Sequence, residues 1–191
     1  MKKGLIIVIA IVAVIAIIGG VCVSNYNSLA TAREEVASAE ATIDTYLQRR
    51  ADLIPNIVAS VKSYAEHESE VYSNIASARQ KLVNASSVAE KAEADAELTS
   101  ALQGLNIVVE SYPELKADTT YVALMDELEG SENRIATARK DYNDTVKEYN
   151  SKIIKFPANI FAGIFGFEKA EYFEASEGAE VAPDVNALLG D

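Results

Sequence analysis

The chain holds one histidine and one cysteine, His67 and Cys22. His67 lies in Tyr64-Ala65-Glu66-His67-Glu68. A pH-sensing role is open to it beside that of a surface or capping residue. A zinc-type site needs two or more His or Cys ligands, and none can be assembled. A carboxylate-only calcium site remains conceivable, but no D-x-D-x-D-G loop is present. Cys22 sits inside an apolar run, so neither a Cys–His nor a Ser–His–Asp pairing exists. There is no glycine-rich phosphate loop. The expectation is therefore no catalytic residue, no cofactor, no metal and no enzymatic activity.

What specificity there is resides in polar residues beside apolar stripes. Tyr142-Asn143 recurs seven residues later as Tyr149-Asn150, which puts both pairs on one helix face. Tyr26-Asn27 repeats the dipeptide earlier in the chain. Either these are buried polar groups that fix helix register, or they line a patch for a peptide or partner. Asp44, Arg49, Arg50 and Asp52 crowd a second stretch, read as a capping and ion-pair cluster.

The elements that must position these residues are helices. From Leu29 the apolar residues Leu29, Ala32, Val36, Ala39, Ile43 and Leu47 follow steps of three and four. A turn is expected near Arg49–Leu53, with Asp52 capping a new helix and Pro55 in its first turn; the alternative is a proline kink in one continuous helix. The second helix runs to about Val83. Asn84-Ala85-Ser86-Ser87 breaks the pattern, and Ser86 or Ser87 with Glu90 forms a capping box for the third helix. Gly104 suggests a close helix–helix contact, and Tyr112-Pro113 ends the third helix. A fourth helix runs from Asp118 or Thr119 to about Lys155. Short connections make successive helices antiparallel, which places the three Tyr-Asn pairs at the membrane-proximal end.

Leu5–Val23 holds 19 consecutive residues without charge or proline. As a helix it spans roughly 28 Å, near the ~30 Å of bilayer hydrocarbon. Lys2 and Lys3 precede it, and no basic residue follows until Arg33. That asymmetry predicts residues 1–4 in the cytoplasm and everything beyond Val23 outside, in a single-pass protein of the cell (inner) membrane. The run is longer than a signal-peptide core and ends in Val-Cys-Val, which favours an uncleaved anchor over a cleaved signal or a lipidated Cys22. Residues 24–155 are then an extracytoplasmic helical bundle and 156–174 an apolar membrane-proximal segment. Residues 175–191 form an acidic tail expected to be disordered, being too poor in apolar residues to offset the entropy of ordering.

All 29 acidic residues lie beyond Val23, so the outer part is more acidic than the whole chain's formal charge of −12. Such a surface repels nucleic acid, which is excluded as a partner. Within the apolar segment, Phe156, Phe161, Phe165 and Phe167 either cap the open end of the bundle core or contact the membrane or a second protomer.

Several blocks in order resemble the LemA family. They include Ile43-Asp44, Arg49 to Val58 with Asp52 and Pro55, Tyr64 and His67-Glu68. Further blocks are Ala78-Arg79, Tyr112-Pro113, Glu132-Asn133, Ala138-Arg139, Tyr142-Asn143, Tyr149-Asn150 and Phe156-Pro157. The resemblance covers roughly Tyr26 to Phe173 and the N-terminal anchor. Ser63 departs from it, standing where the family often has glycine; the reading here places it mid-helix. The resemblance implies an all-α protein, in which a transmembrane helix continues into an antiparallel four-helix bundle. It also implies a bacterial or archaeal membrane protein without catalytic residues. Members are often encoded beside membrane proteases or other envelope proteins.

The expected function is a membrane-anchored scaffold or adaptor of the cell envelope that self-assembles into a homo-oligomer. Its partners would be the lipid bilayer through the N-terminal helix and envelope membrane proteins such as a membrane protease. The alternative is an envelope sensor or ligand-binding module.

Overall fold

The computed structural model describes residues 2–174, and no strand occurs among them. The elements are α1 (Lys2–Lys62), α2 (Ser69–Asn84), α3 (Val88–Ser111), α4 (Pro113–Ala117), α5 (Thr119–Ile154) and α6 (Ala158–Phe165). The regular elements of the described residues are all helices, in keeping with the periodicity. The acidic tail from Ala175 to Asp191 lies outside the described residues.

The described chain divides into two units, each built on a different stretch of α1 and of α5. One unit joins α1 up to Thr42 with Lys140–Tyr172. Here the large side chains from Leu5 to Val23 stand exposed along α1, the one described helix long and apolar enough to cross a membrane. Beyond that run Leu29, Ala32 and Val36 turn inward, and so do Tyr142, Val146, Tyr149 and Ile153 of α5. Helix α6 carries no charge and buries Ala162. It ends at Gly166, whose φ of 70° is the left-handed conformation that a side chain resists.

The other unit joins Ile43–Arg139 with Phe173. Its core draws Ile43, Leu47, Ile54, Ile57 and Val61 from α1, Ile75 and Leu82 from α2, Leu98 and Leu105 from α3, and Leu128 and Ile135 from α5. The cross-helix partners give the directions. Ala51 of α1 meets Arg79 of α2, while Ala65, just beyond α1, meets Tyr72. Lys81 of α2 pairs with Glu97 of α3, while Val71 lies against Gly104. In both sets one number rises as the other falls, so α1 and α2, and α2 and α3, run antiparallel.

The expected punctuation of α3 and α5 is present. Ser87 and Glu90 form a reciprocal capping box at the start of α3. The close contact expected at Gly104 is an ordinary one: a Cβ there would meet the Val71 side chain at 3.7 Å, a van der Waals distance that alanine fits. Helix α3 stops at Ser111, and Pro113 opens α4, a turn of helix that the sequence pattern does not separate from its surroundings. Asp118 accepts the Tyr121 N–H at 2.8 Å beside the start of α5.

The turn expected at Arg49–Leu53 does not exist. Helix α1 passes through Pro55 without a break and ends only at Lys62, so α2 begins at Ser69 rather than near Asp52. A proline in a helix costs the hydrogen bond to the carbonyl four residues back, here that of Ala51. Arg79 Nε of α2 donates to that carbonyl at 2.7 Å. The neighbouring helix thus supplies the donor that Pro55 lacks. Ser63 is correspondingly not mid-helix. It is the first residue of the turn after α1, where its hydroxyl donates to Ser60 O at 2.7 Å.

Replacing Arg79 with Met should leave the Ala51 carbonyl buried without a donor and cost about 1–3 kcal/mol in urea unfolding. Adding Pro55→Ala, which restores the missing N–H, should recover most of that loss; equal losses with and without the second change would refute this role for Arg79.

Candidate functional site

Two clusters of polar side chains are built by the fold, one in each unit. In the first, α5 holds an extended segment that follows α6. The Tyr149 hydroxyl donates to Glu168 O at 2.9 Å and the Tyr142 hydroxyl to Glu171 O at 2.9 Å. Between them the Asn150 side chain both donates to Ala170 O and accepts from Ala170 N, each at 2.9 Å. Seven helical residues rise about 10.5 Å, and three extended residues cover about 10 Å. The seven-residue tyrosine repeat therefore matches the spacing of carbonyls 168 and 171 on a strap running opposite to α5. The side chains supply the bonds that a neighbouring strand would, because residues 168–171 have no ladder partner. Burial pushes the Tyr149 hydroxyl above its ordinary pKa, which keeps it a donor.

Tyr26 takes no part in this strap. Its ring lies edge-on to Phe165 and Phe167, with centres 5.0 and 5.7 Å away. The Arg33 guanidinium covers Phe167 at 5.1 Å from the ring centre. Phe167 is buried, Phe161 is half-buried, and Phe156 and Phe165 are exposed. The segment is therefore only partly turned inward. Asn27 is exposed and Asn143 half-buried.

In the second unit Arg50 of α1 is only 2 % exposed. A guanidinium so placed requires several acceptors. It donates to Asp95 of α3, to Thr99 Oγ1 at 3.0 Å, and to Glu132 of α5 at 2.7 Å. Arg139 of α5 donates to the other Asp95 oxygen, and its guanidinium carbon lies 4.5 Å from the centre of the Phe173 ring. Two arginines and two carboxylates balance in charge. Burial pulls the Arg139 guanidinium below its ordinary pKa, Asp95 opposes that shift and Arg50 adds to it.

The remaining residues singled out in the sequence disperse. Arg49 pairs with Glu127, and Asp44 with Lys91 at 2.6 Å. Asp52 accepts from Gln48 at 2.8 Å. Arg49 and Arg50 thus send their charges to α3 and α5, while Asp52 stays with Gln48 of α1 and lies 3.8 Å from Arg79 of α2 rather than capping a turn. Tyr64 donates to Asp118 at 3.0 Å, a bond that raises the tyrosine's pKa. Asp118 is held below the usual carboxylate range, first by the Tyr121 N–H and then by the Tyr64 hydroxyl. His67 and Glu68 lie in the turn between α1 and α2, with His67 exposed, and Asn133 is exposed on α5. Tyr112 and Pro113 form the joint between α3 and α4. Asp95 escaped sequence reasoning altogether, since it is one acidic residue in an Ala- and Glu-rich helix. Lys91 escaped it for the same reason. Among the described residues no three His, Cys, Asp or Glu side chains converge as metal ligands.

These features describe a membrane-associated, all-helical protein with a long apolar N-terminal helix. The model of the LemA family matches residues 39–186, and the chain belongs to that family. Two magnetosome proteins of Paramagnetospirillum magneticum, MamQ 1 and MamQ 2, are each 32% identical to it over 193 residues, covering 87% of this chain and 71% of theirs. Protein LemA of Metamycoplasma hominis is 29% identical over 169 residues, covering 88% of this chain and 77% of its own.

Arg50→Met should destabilise the protein by about 3 kcal/mol in urea, because Asp95 loses its more buried partner. Arg50→Met with Asp95→Leu should lose less than the two single changes summed, and additivity would refute the coupling. Asn150→Ala should speed hydrogen exchange at the Ala170 amide while leaving amides of α2 and α3 unchanged.

Proposed function

We propose that the protein is a single-pass cell-membrane protein whose extracytoplasmic helices act as a scaffold or adaptor of the envelope and associate with further copies of the chain. Residues 1–4 lie in the cytoplasm, Leu5–Val23 spans the bilayer, and residues 24–174 stand outside it. One observation carries this reading. The large apolar side chains of Leu5–Val23 are all exposed to solvent, whereas the apolar stripe of α1 beyond it is buried. A run of that kind needs a second apolar solvent, and a bilayer provides it.

The polar clusters support contact rather than catalysis. Arg50, Asp95, Arg139, Tyr149 and Asn150 spend their hydrogen bonds on the protein's own helices and strap. Ala37 and Ala41, four residues apart on α1, are exposed small residues that allow a second helix to approach closely. The MamQ relatives are named as magnetosome proteins and not for a reaction, in keeping with this reading. Envelope proteins such as a membrane protease remain the expected partners.

Protease added to intact spheroplasts should digest the protein beyond Val23; full protection would overturn the orientation. Sedimentation in mild detergent should show a mass above that of the monomer that falls on dilution, and a monomer at high concentration would overturn self-association.

A further inference from the structure

We infer that α6 and the residues leading into it form a second membrane contact, lying in the headgroup layer of the same leaflet from which α1 emerges. This rests on the anchor reading above. The segment Phe156–Phe165 carries no charged residue. Apart from the half-buried Phe161, its large apolar side chains point outward: Phe156 is 82 % exposed and Ile164 67 %, with Ile160 and Phe165 also exposed. Beyond the anchor, Val83, Ile107 and Val122 are exposed too, but at separated positions on α2, α3 and α5. Among the described residues beyond the anchor, only here do such residues follow one another in a short segment.

The place of the segment in its unit identifies what covers it. Tyr26 lies three residues beyond Val23, about 4.5 Å further along the helix. The headgroup region is roughly 5–8 Å deep on each side of the hydrocarbon, so Tyr26 falls within it. Tyrosine is suited to that layer, having an apolar ring and a polar tip. The same Tyr26 ring packs against Phe165 and Phe167, which holds the end of α6 at that depth. The outward face of α6 thus continues the lipid-facing surface of α1. Lys155 and Lys169 flank the segment and are exposed. Their long side chains can reach lipid phosphates from either end.

A second copy of the chain fits this surface less well. A few partly exposed side chains present on the order of a few hundred Å2, short of the about 800 Å2 per partner of a stable interface. An interfacial helix needs no such area, because it only adds to a chain already anchored.

The protein contains no tryptophan, so a single introduced indole reports on its own surroundings. Ile164→Trp, Phe156→Trp, Val14→Trp and Val83→Trp are made separately in the full chain and reconstituted into phosphatidylcholine vesicles. The vesicles carry spin-labelled lipid, with the label either near the headgroup or near the chain end. Ile164→Trp and Phe156→Trp should emit at shorter wavelength than Val83→Trp and be quenched most by the shallow label. Val14→Trp should be quenched most by the deep label. Unquenched emission at both 156 and 164, with Val14→Trp quenched, overturns the proposal while leaving the anchor intact. Blue-shifted but unquenched emission at both positions assigns the surface to protein contact and also overturns it. Absence of quenching in Val14→Trp would instead overturn the anchor.

Discussion

A guanidinium removed from water must bring its acceptors with it, and Arg50 imposes that demand on its unit. Its acceptors come from α3 and α5, and Arg139 closes the set by taking the second oxygen of Asp95. Ion pairs of this kind contribute little net stability relative to apolar residues that fill the same space. Their effect is on register. Leucine and alanine stripes can slide by a turn at small cost, but a buried charge without its partner cannot be tolerated. We read the cluster as the device that selects one arrangement among several apolar packings.

The continuity of α1 follows the same logic. Pro55 removes one donor from the helix, and an arginine on α2 replaces it. The helix therefore does not need to break where its own backbone is deficient. The consequence is a long α1 whose apolar face passes through Ala51, Ile54, Ile57 and Val61 without interruption. In the other unit, tyrosine and asparagine side chains on α5 do for an extended segment what a neighbouring strand does elsewhere. In both places a side chain satisfies a backbone group that its own segment leaves unpaired.

The LemA family is represented here by a chain whose two polar clusters are spent on its own helices and strap. The buried groups hold helices and strap in position, and the surfaces left over are an apolar helix, an uncharged short helix and acidic faces. Among the described residues no three His, Cys, Asp or Glu side chains converge as metal ligands, and family membership by itself assigns no reaction.

Periodicity and punctuation made much of this protein legible from its residues alone. The apolar run Leu5–Val23, the capping box at Ser87 and Glu90, the stop at Tyr112-Pro113 and the extent of α5 are local patterns, decided within one turn or one segment. The all-helical class follows from them. The fate of Pro55 was not local. Whether proline ends a helix depends on a donor 28 residues away reaching the Ala51 carbonyl, and no neighbouring residue reveals it. Asp95 was equally hidden, since its burial depends on two arginines from other helices. The seven-residue Tyr-Asn repeat announced a shared face but not its occupant, because the strap and the tyrosines meet only after the chain turns back. Sequence determines which segments are helices and which faces are apolar, since those depend on spacing along one chain. Only the tertiary structure decides which unpaired group is answered by which distant side chain, since that depends on distances in space.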